Sequence, residues 1–336
     1  MRSRFSWLAW VGLAAGLLAT TVAPAEKPAS AAGRGPKAAA KAAPLSFIRS
    51  GKGPAVVFLH GLGGDSSVWI NVMQQLEATH TVLLVDLPGH GLSPPAPQNL
   101  ELPAVARQVA ALIRAQHLAP AVLVGHSLGG TLAGYVALAD PQALRGLVVV
   151  DSMFAPYPLA QVERDKLRFL LGRDEARALR ELFGPLSHDA AQLDKIVASA
   201  RRVSGNTLIN YLDFASERDD LRTHVREISV PVHIMVTPLL TEGQSEPARI
   251  QLSLSHVGFE GLANLTYEYF PSARHWIFWD DPPGFQASLE KFLRRVEPPL
   301  QTPAPTLKPA RSGALAKPGA GQRAKSFARS GATSAN

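Results

Sequence analysis

No cysteine occurs in the 336 residues. That absence excludes disulfides, thiolate metal sites and a cysteine nucleophile. It is compatible with an oxidising compartment without requiring one. A basic face is also lacking from the body of the chain. The formal net charge is +7, but residues 1–45 and 297–336 together carry +10, which leaves −3 on residues 46–296. That body has no patch to offer a phosphate backbone, and no nucleic-acid partner is expected. Hydrophobic residues make up 46%, ample for a core in a chain of this length.

The termini read differently from the body. Met1-Arg2-Ser3-Arg4 is followed by an uncharged run from Trp7 to Ala23 and then Ala23-Pro24-Ala25. A basic start, an apolar run and small residues at a cleavage site describe a secretory signal peptide over 1–25. The rival is an uncleaved membrane anchor. The run is short for a span and contains Thr20 and Thr21, which favours cleavage. Either way the body is expected to be exported, to the periplasm or beyond. Residues 26–44 and 297–336 are mostly Ala, Pro, Gly, Ser, Lys and Arg. They read as a disordered linker and a disordered basic tail, whose charge would give weak attachment to an anionic envelope surface.

Between them, uninterrupted apolar runs alternate with helix-periodic segments. Ala55–Leu59, Thr81–Val85, Ala121–Val124 and Leu147–Val150 are expected to be strands covered on both faces. Leu102, Val105, Val109, Leu112 and Ile113 have helical spacing. The alternation predicts an α/β fold with a mostly parallel central sheet flanked by helices. Sites on such sheets form at the carboxyl ends of the strands, where His60, Asp86, Ser127 and Asp151 all fall. Residues 152–226 break the rhythm with charged periodic segments, Leu159–Leu171 and Glu175–Phe183 among them. They are expected to form a helical cap inserted over that rim. The core is then 45–151 and 227–296, with strands resuming at Val230–Val236 and Asn264–Phe270 and a closing helix over 284–295.

Gly125-His126-Ser127-Leu128-Gly129 joins the third of these runs to the helical segment from Thr131 to Leu138. A serine on so sharp a strand-to-helix turn is held in a strained conformation with its hydroxyl pushed above the sheet, and the flanking glycines are expected to accommodate the strain. The helix that follows points its free N–H groups where negative charge would develop.

A serine nucleophile needs a base, a carboxylate behind that base and two N–H donors. Taken together, His60-Gly61-Leu62-Gly63-Gly64 with Trp69, Asp86-Leu87-Pro88-Gly89-His90-Gly91, the Ser127 pentapeptide and Arg274-His275-Trp276 make residues 45–296 resemble the α/β-hydrolase family, in its capped branch. The resemblance implies Ser127 as nucleophile, His275 as general base and the N–H groups of Leu62 and Leu128 as the oxyanion hole. It implies no metal and no organic cofactor. Asp86, His60 and His90 read as loop-ordering residues.

The acid departs from the family pattern. Its usual place lies just past the strand ending near Val236, but Thr237-Pro238-Leu239-Leu240-Thr241-Glu242-Gly243 contains no Asp. Two alternatives remain: Asp151, at a strand end that some relatives use, and Glu242, a little late in the expected loop. The strand end positions a carboxylate better and favours Asp151. A serine at the elbow argues against dehalogenase and epoxide hydrolase relatives, which use Asp there. The expectation is an exported serine hydrolase cleaving an ester in a small-molecule acyl substrate. Thioester or carbon–carbon bond hydrolysis at the same site, and a non-catalytic binding protein of the same fold, are the alternatives.

Overall fold

The computed structural model describes residues 44–218 and 220–297. The expected signal peptide, nearly all of the linker and nearly all of the basic tail lie outside the described residues. Among the described residues no helix is long and apolar enough to cross a membrane.

Among the described residues, seven strands form one sheet: β1 (Phe47–Gly51), β2 (Ala55–Leu59), β3 (Thr81–Val85), β4 (Ala121–His126), β5 (Leu144–Val150), β6 (Val232–Val236) and β7 (Leu265–Tyr269). Their order is β1-β3-β2-β4-β5-β6-β7, with every pair parallel except β1 and β3. Burial explains the sequence pattern. β2, β3, β4 and β6 are buried at every position, so they need no polar alternation. The edge strands β1 and β7 are only partly covered and read more polar. β1 pairs Phe47 with Val85 and Gly51 with Thr81, an antiparallel edge that its sequence did not announce.

Successive side chains on each central strand enter opposite faces. Val57, Leu59, Leu83, Leu123 and Val149 belong to one core, packed against α2 (Leu102–Ala115) and α3 (Leu128–Ala139). Val56, Phe58, Leu84, Val124 and Val148 belong to the other, against α1 (Ile70–Leu76) and residues of the closing helix.

Between β5 and β6 the chain carries α4 (Gln161–Leu171), α5 (Glu175–Phe183), α6 (Ala190–Ala200) and α7 (Gly205–Asp213) and, among the described residues, no strand. Local chemistry starts three of them. Asp174, Asp189 and Ser204 accept from the N–H groups of Arg177, Gln192 and Thr207 at 3.1, 2.8 and 3.2 Å, each satisfying an otherwise free donor of the first turn. Arg164 of α4, 1% exposed, donates to Asp213 at the end of α7 at 2.9 Å and also meets Glu217 and the Leu159 carbonyl. It ties the first and last helices of the insertion together. After β6 come α8 (Pro247–Leu254), α9 (Ile277–Asp280) and α10 (Pro282–Val296).

Candidate active site

Ser127 sits between β4 and α3 with φ 51° and ψ −125°, a backbone conformation that side-chain-bearing residues rarely adopt. Its N–H donates to the Val150 carbonyl at 3.0 Å, and its carbonyl accepts from Gly130 N at 2.7 Å and Ser152 Oγ at 2.5 Å. These bonds hold the turn in place. The flanking glycines accommodate the strained turn, as expected. Gly125 and Gly129 are absent from the positive-φ positions, so the strain is borne by Ser127 itself. What they supply is room. A Cβ on Gly129 would stand 2.6 Å from the His60 carbonyl oxygen and 2.8 Å from that of Leu59, both backbone atoms of the neighbouring strand end. Gly129→Ala is therefore expected to cost about 3 kcal/mol or to displace the elbow. Urea unfolding that matches the parent within experimental scatter would refute the close fit.

Opposite the elbow, the loop after β2 carries Leu62. An added Cβ on Gly61 would lie 3.0 Å from Ser127 Cβ, so this loop presses directly on the serine. Among the described residues, neither the Leu62 nor the Leu128 N–H donates to another protein group, and both residues line the cavity that holds Ser127. The loop is held by the residues read as structural. Asp86 accepts from Ser66 N at 2.7 Å and Leu92 N at 2.9 Å. His60 Nε2 accepts from Leu87 N at 3.0 Å, so its proton lies on Nδ1, donated to the Gly61 carbonyl at 2.8 Å. His90 Nε2 accepts from Gly63 N at 3.2 Å, and its Nδ1–H donates to Pro88 O at 3.1 Å.

His275, 7% exposed, follows β7 and lines the same cavity as Ser127. Its Nδ1 lies 2.7 Å from Asp151 Oδ2. Asp151 ends β5 with φ 42° and is 1% exposed. Its other oxygen accepts from Thr237 N at 3.1 Å and Thr237 Oγ1 at 2.8 Å. A carboxylate this buried requires such donors. Glu242, the alternative acid, is brought elsewhere: it is exposed, at φ 52°, in the turn where Gly243 N returns to Pro238 O at 2.9 Å. The turn closes on itself and presents Glu242 to solvent. The carboxylate behind His275 is that of Asp151.

Three residues at the site escaped the sequence reading. Thr237 stands directly after β6, in a turn without an Asp, and it orients Asp151. His126 Nε2 donates to the His275 carbonyl at 2.9 Å and so fixes the backbone of the loop that carries the base. Tyr157 lines the cavity, where burial pushes its phenol up while the neighbouring hydroxyls of Thr131, Ser127 and Ser152 act the other way. Only Thr237 left a sequence signal, as a polar residue at a strand end. Among the described residues, no group of three or more His, Cys, Asp or Glu is placed to hold a metal ion.

Four buried histidines are held below the ordinary value of 6.5, each chiefly by burial. His60 is lowered, and His126 lies well below with the neighbouring His275 adding to the effect. His90 is pushed down to about 3, with His60 adding, and His233 to about 4, with Lys291 and Arg295 adding. Each binds its proton more tightly unfolded than folded. Their contribution is therefore complete above pH 6.5 and declines as pH falls below it, by about 1.4 kcal/mol per pH unit for each histidine. The decline ends near pH 4 for His233 and near pH 3 for His90. Urea midpoints are expected to be level above neutrality and to drop between pH 6.5 and 5; a level profile down to pH 5 would contradict the burial.

The cavity over Ser127 and His275 is walled by side chains of the helical insertion, Leu167, Leu182, Ile196 and Leu212 among them. It is predominantly apolar, with Glu163, Lys166 and Glu181 among its lining residues.

A family model described as "alpha/beta hydrolase fold" matches residues 54–189. The chain is 25% identical over 277 residues to an uncharacterised protein of Mycobacterium tuberculosis, covering 75% of this chain and 79% of that one. Over 109 residues it is 41% identical to a pimeloyl-[acyl-carrier protein] methyl ester esterase of Aeromonas hydrophila, covering 32% of this chain and 41% of the relative. A thermophilic esterase from Thermogutta terrifontis superposes with a TM-score of 0.64 at 22% identity, over 75% of this chain and 93% of that chain. An esterase from Exiguobacterium antarcticum does so at 0.62 and 21%, over 74% and 95%. At those identities the structural likeness is one of fold. With the sheet order and the sequence match taken together, the chain has the α/β-hydrolase fold.

Proposed function

We propose that this protein is an exported serine hydrolase that cleaves carboxylic esters through an acyl-enzyme. The observation that carries the reading is the buried Asp151–His275 pair at 2.7 Å, whose His275 lines one cavity with a serine on a strained elbow. In that reading Asp151 accepts the Nδ1–H of His275 and fixes the tautomer, which leaves Nε2 as the base. Ser127 Oγ attacks the ester carbonyl while Nε2 takes its proton. The oxyanion is met by the N–H groups of Leu62 and Leu128, backbone donors already in place and needing no reorganisation. His275 then passes its proton to the leaving alcohol. Water, deprotonated by the same nitrogen, attacks the acyl carbon and releases the acid with Ser127 restored.

The esterases among the relatives and structural neighbours support the ester as substrate. In this reading Asp151 supplies the acid from the end of β5, so the lack of an Asp past β6 is no argument for a non-catalytic binding protein. Steady turnover of p-nitrophenyl acetate by the purified chain is the test. Absence of turnover, with no covalent labelling by a fluorophosphonate, would reject the reading. Export rests on residues 1–25, and a chain recovered only from the cytoplasmic fraction would reject that part.

A further inference from the structure

The lining of the cavity over Ser127 includes two groups of different chemistry, with Tyr157, Tyr211, Leu186 and Ile196 among the remainder. One is aliphatic: Leu159, Leu167, Leu170 and Leu212, from the segment entering the helical insertion and from α4 and α7, which pack as a cluster of their own. The other is aromatic and grows from the residue after the base. The Trp276 ring meets His275 edge-on with centroids 5.0 Å apart, and Trp279 stacks on Trp276 at 6.1 Å and 13°. Phe183 closes the same wall at 6.4 Å from Trp276. Trp276 is buried and Trp279 half-buried, and both line the cavity. The charged groups on the walls are Glu163, Glu181 and Lys166, with Lys166 paired to Glu181 at 3.1 Å. A lining this apolar is unfavourable to a substrate carboxylate.

The reaction decides which wall takes which half of an ester. His275 delivers its proton to the leaving oxygen, so that oxygen must lie against His275, and the group it carries extends along the side chains next to His275. Those include Trp276, in edge contact with His275, and beyond it Trp279, stacked on Trp276. The acyl carbon stays on Ser127, and its chain is left with the aliphatic wall. Resting on the serine-hydrolase reading above, we infer that the substrate is a neutral ester joining an aliphatic acyl chain to an aromatic alcohol. The acyl carbon–oxygen bond breaks, the alcohol departs with the proton that Ser127 gave to His275, and water supplies the hydroxyl of the released aliphatic acid.

Flat rings gain on such a wall from offset and edge contacts beyond the area they bury, whereas an aliphatic chain there gains area alone. On the opposite wall each further methylene of the acyl chain is worth roughly three- to fourfold in kcat/KM while it is still being buried.

Benzyl hexanoate and pentyl phenylacetate test this directly. They are isomers of matched apolarity and similar leaving-group reactivity, with the aromatic ring on opposite sides of the ester. The expected result is a kcat/KM roughly tenfold or more higher for benzyl hexanoate. Trp279→Leu should bring the ratio towards one, and Trp279→Phe should restore part of it. Equal or reversed rates in the parent protein overturn the inference while leaving the hydrolase reading intact, as does turnover of p-nitrophenyl acetate with neither isomer cleaved. No turnover of all three esters rejects the hydrolase reading, and this inference with it. If Trp279→Leu fails to fold, the isomer ratio of the parent protein decides alone.

Discussion

Ser127→Ala is expected to lower ester turnover by roughly five to six orders of magnitude, the scale found when the nucleophile of a serine protease triad is removed. It should also abolish covalent labelling by a fluorophosphonate. Stability, by contrast, should stay within about 1 kcal/mol of the parent. The elbow is held by backbone groups: Ser127 N on Val150 O, and Ser127 O receiving Gly130 N and Ser152 Oγ. Alanine keeps all three bonds. Its cost at φ 51° is that of any residue bearing a Cβ, so the strain already present in the parent is unchanged. The combination of lost turnover and retained stability separates a nucleophile from a turn-forming serine. A variant that still hydrolyses esters at the parental rate would remove Ser127 from the chemistry. One that loses turnover only because it no longer folds would be exposed by its urea midpoint.

Much of the fold was legible because coverage on both faces removes the need for polar residues. Ala55–Leu59 and Thr81–Val85 stand out as unbroken apolar runs, and both strands have those bounds. Ser127 was legible for a related reason: a buried strand, a serine between glycines and a helix leave little choice of local geometry. Glu175–Phe183 also has its expected bounds, since its apolar face alternates cleanly with charge. What failed to show was anything decided by approach in space. The two elbow glycines read as relief for a strained serine, but the carbonyls of Leu59 and His60 that crowd Gly129 are remote in sequence. The bond from His126 to the His275 carbonyl joins residues 149 positions apart. α8 begins at Pro247 without a long apolar stripe and was missed. Thr237 carries no charge, and its two bonds to Asp151, 86 positions away, leave no mark in its own turn.

Asp151→Asn is expected to lower turnover by about three to four orders of magnitude, and Glu242→Gln by less than tenfold. The reason lies in the direction of each hydrogen bond. Asp151 Oδ1 accepts twice from Thr237, and Oδ2 accepts from His275 Nδ1–H. An asparagine in the same pose must keep its carbonyl oxygen towards Thr237, which offers two donors. Its NH2 group then faces Nδ1. Two donors cannot share that contact, so the imidazole moves its proton to Nε2, and the nitrogen that should accept from Ser127 no longer can. Geometry survives while the tautomer is wrong. The imidazolium formed during attack would also lose the adjacent negative charge that stabilises it. Stability should fall by only about 1–2 kcal/mol, because the Thr237 bonds persist. Glu242 has none of these contacts, being exposed in its turn, and its amide should alter little. Rates for both variants, with urea midpoints measured alongside, decide the assignment. A reversed pattern would transfer the role to Glu242. Two variants as active as the parent would reduce the machinery to Ser127 and His275 alone.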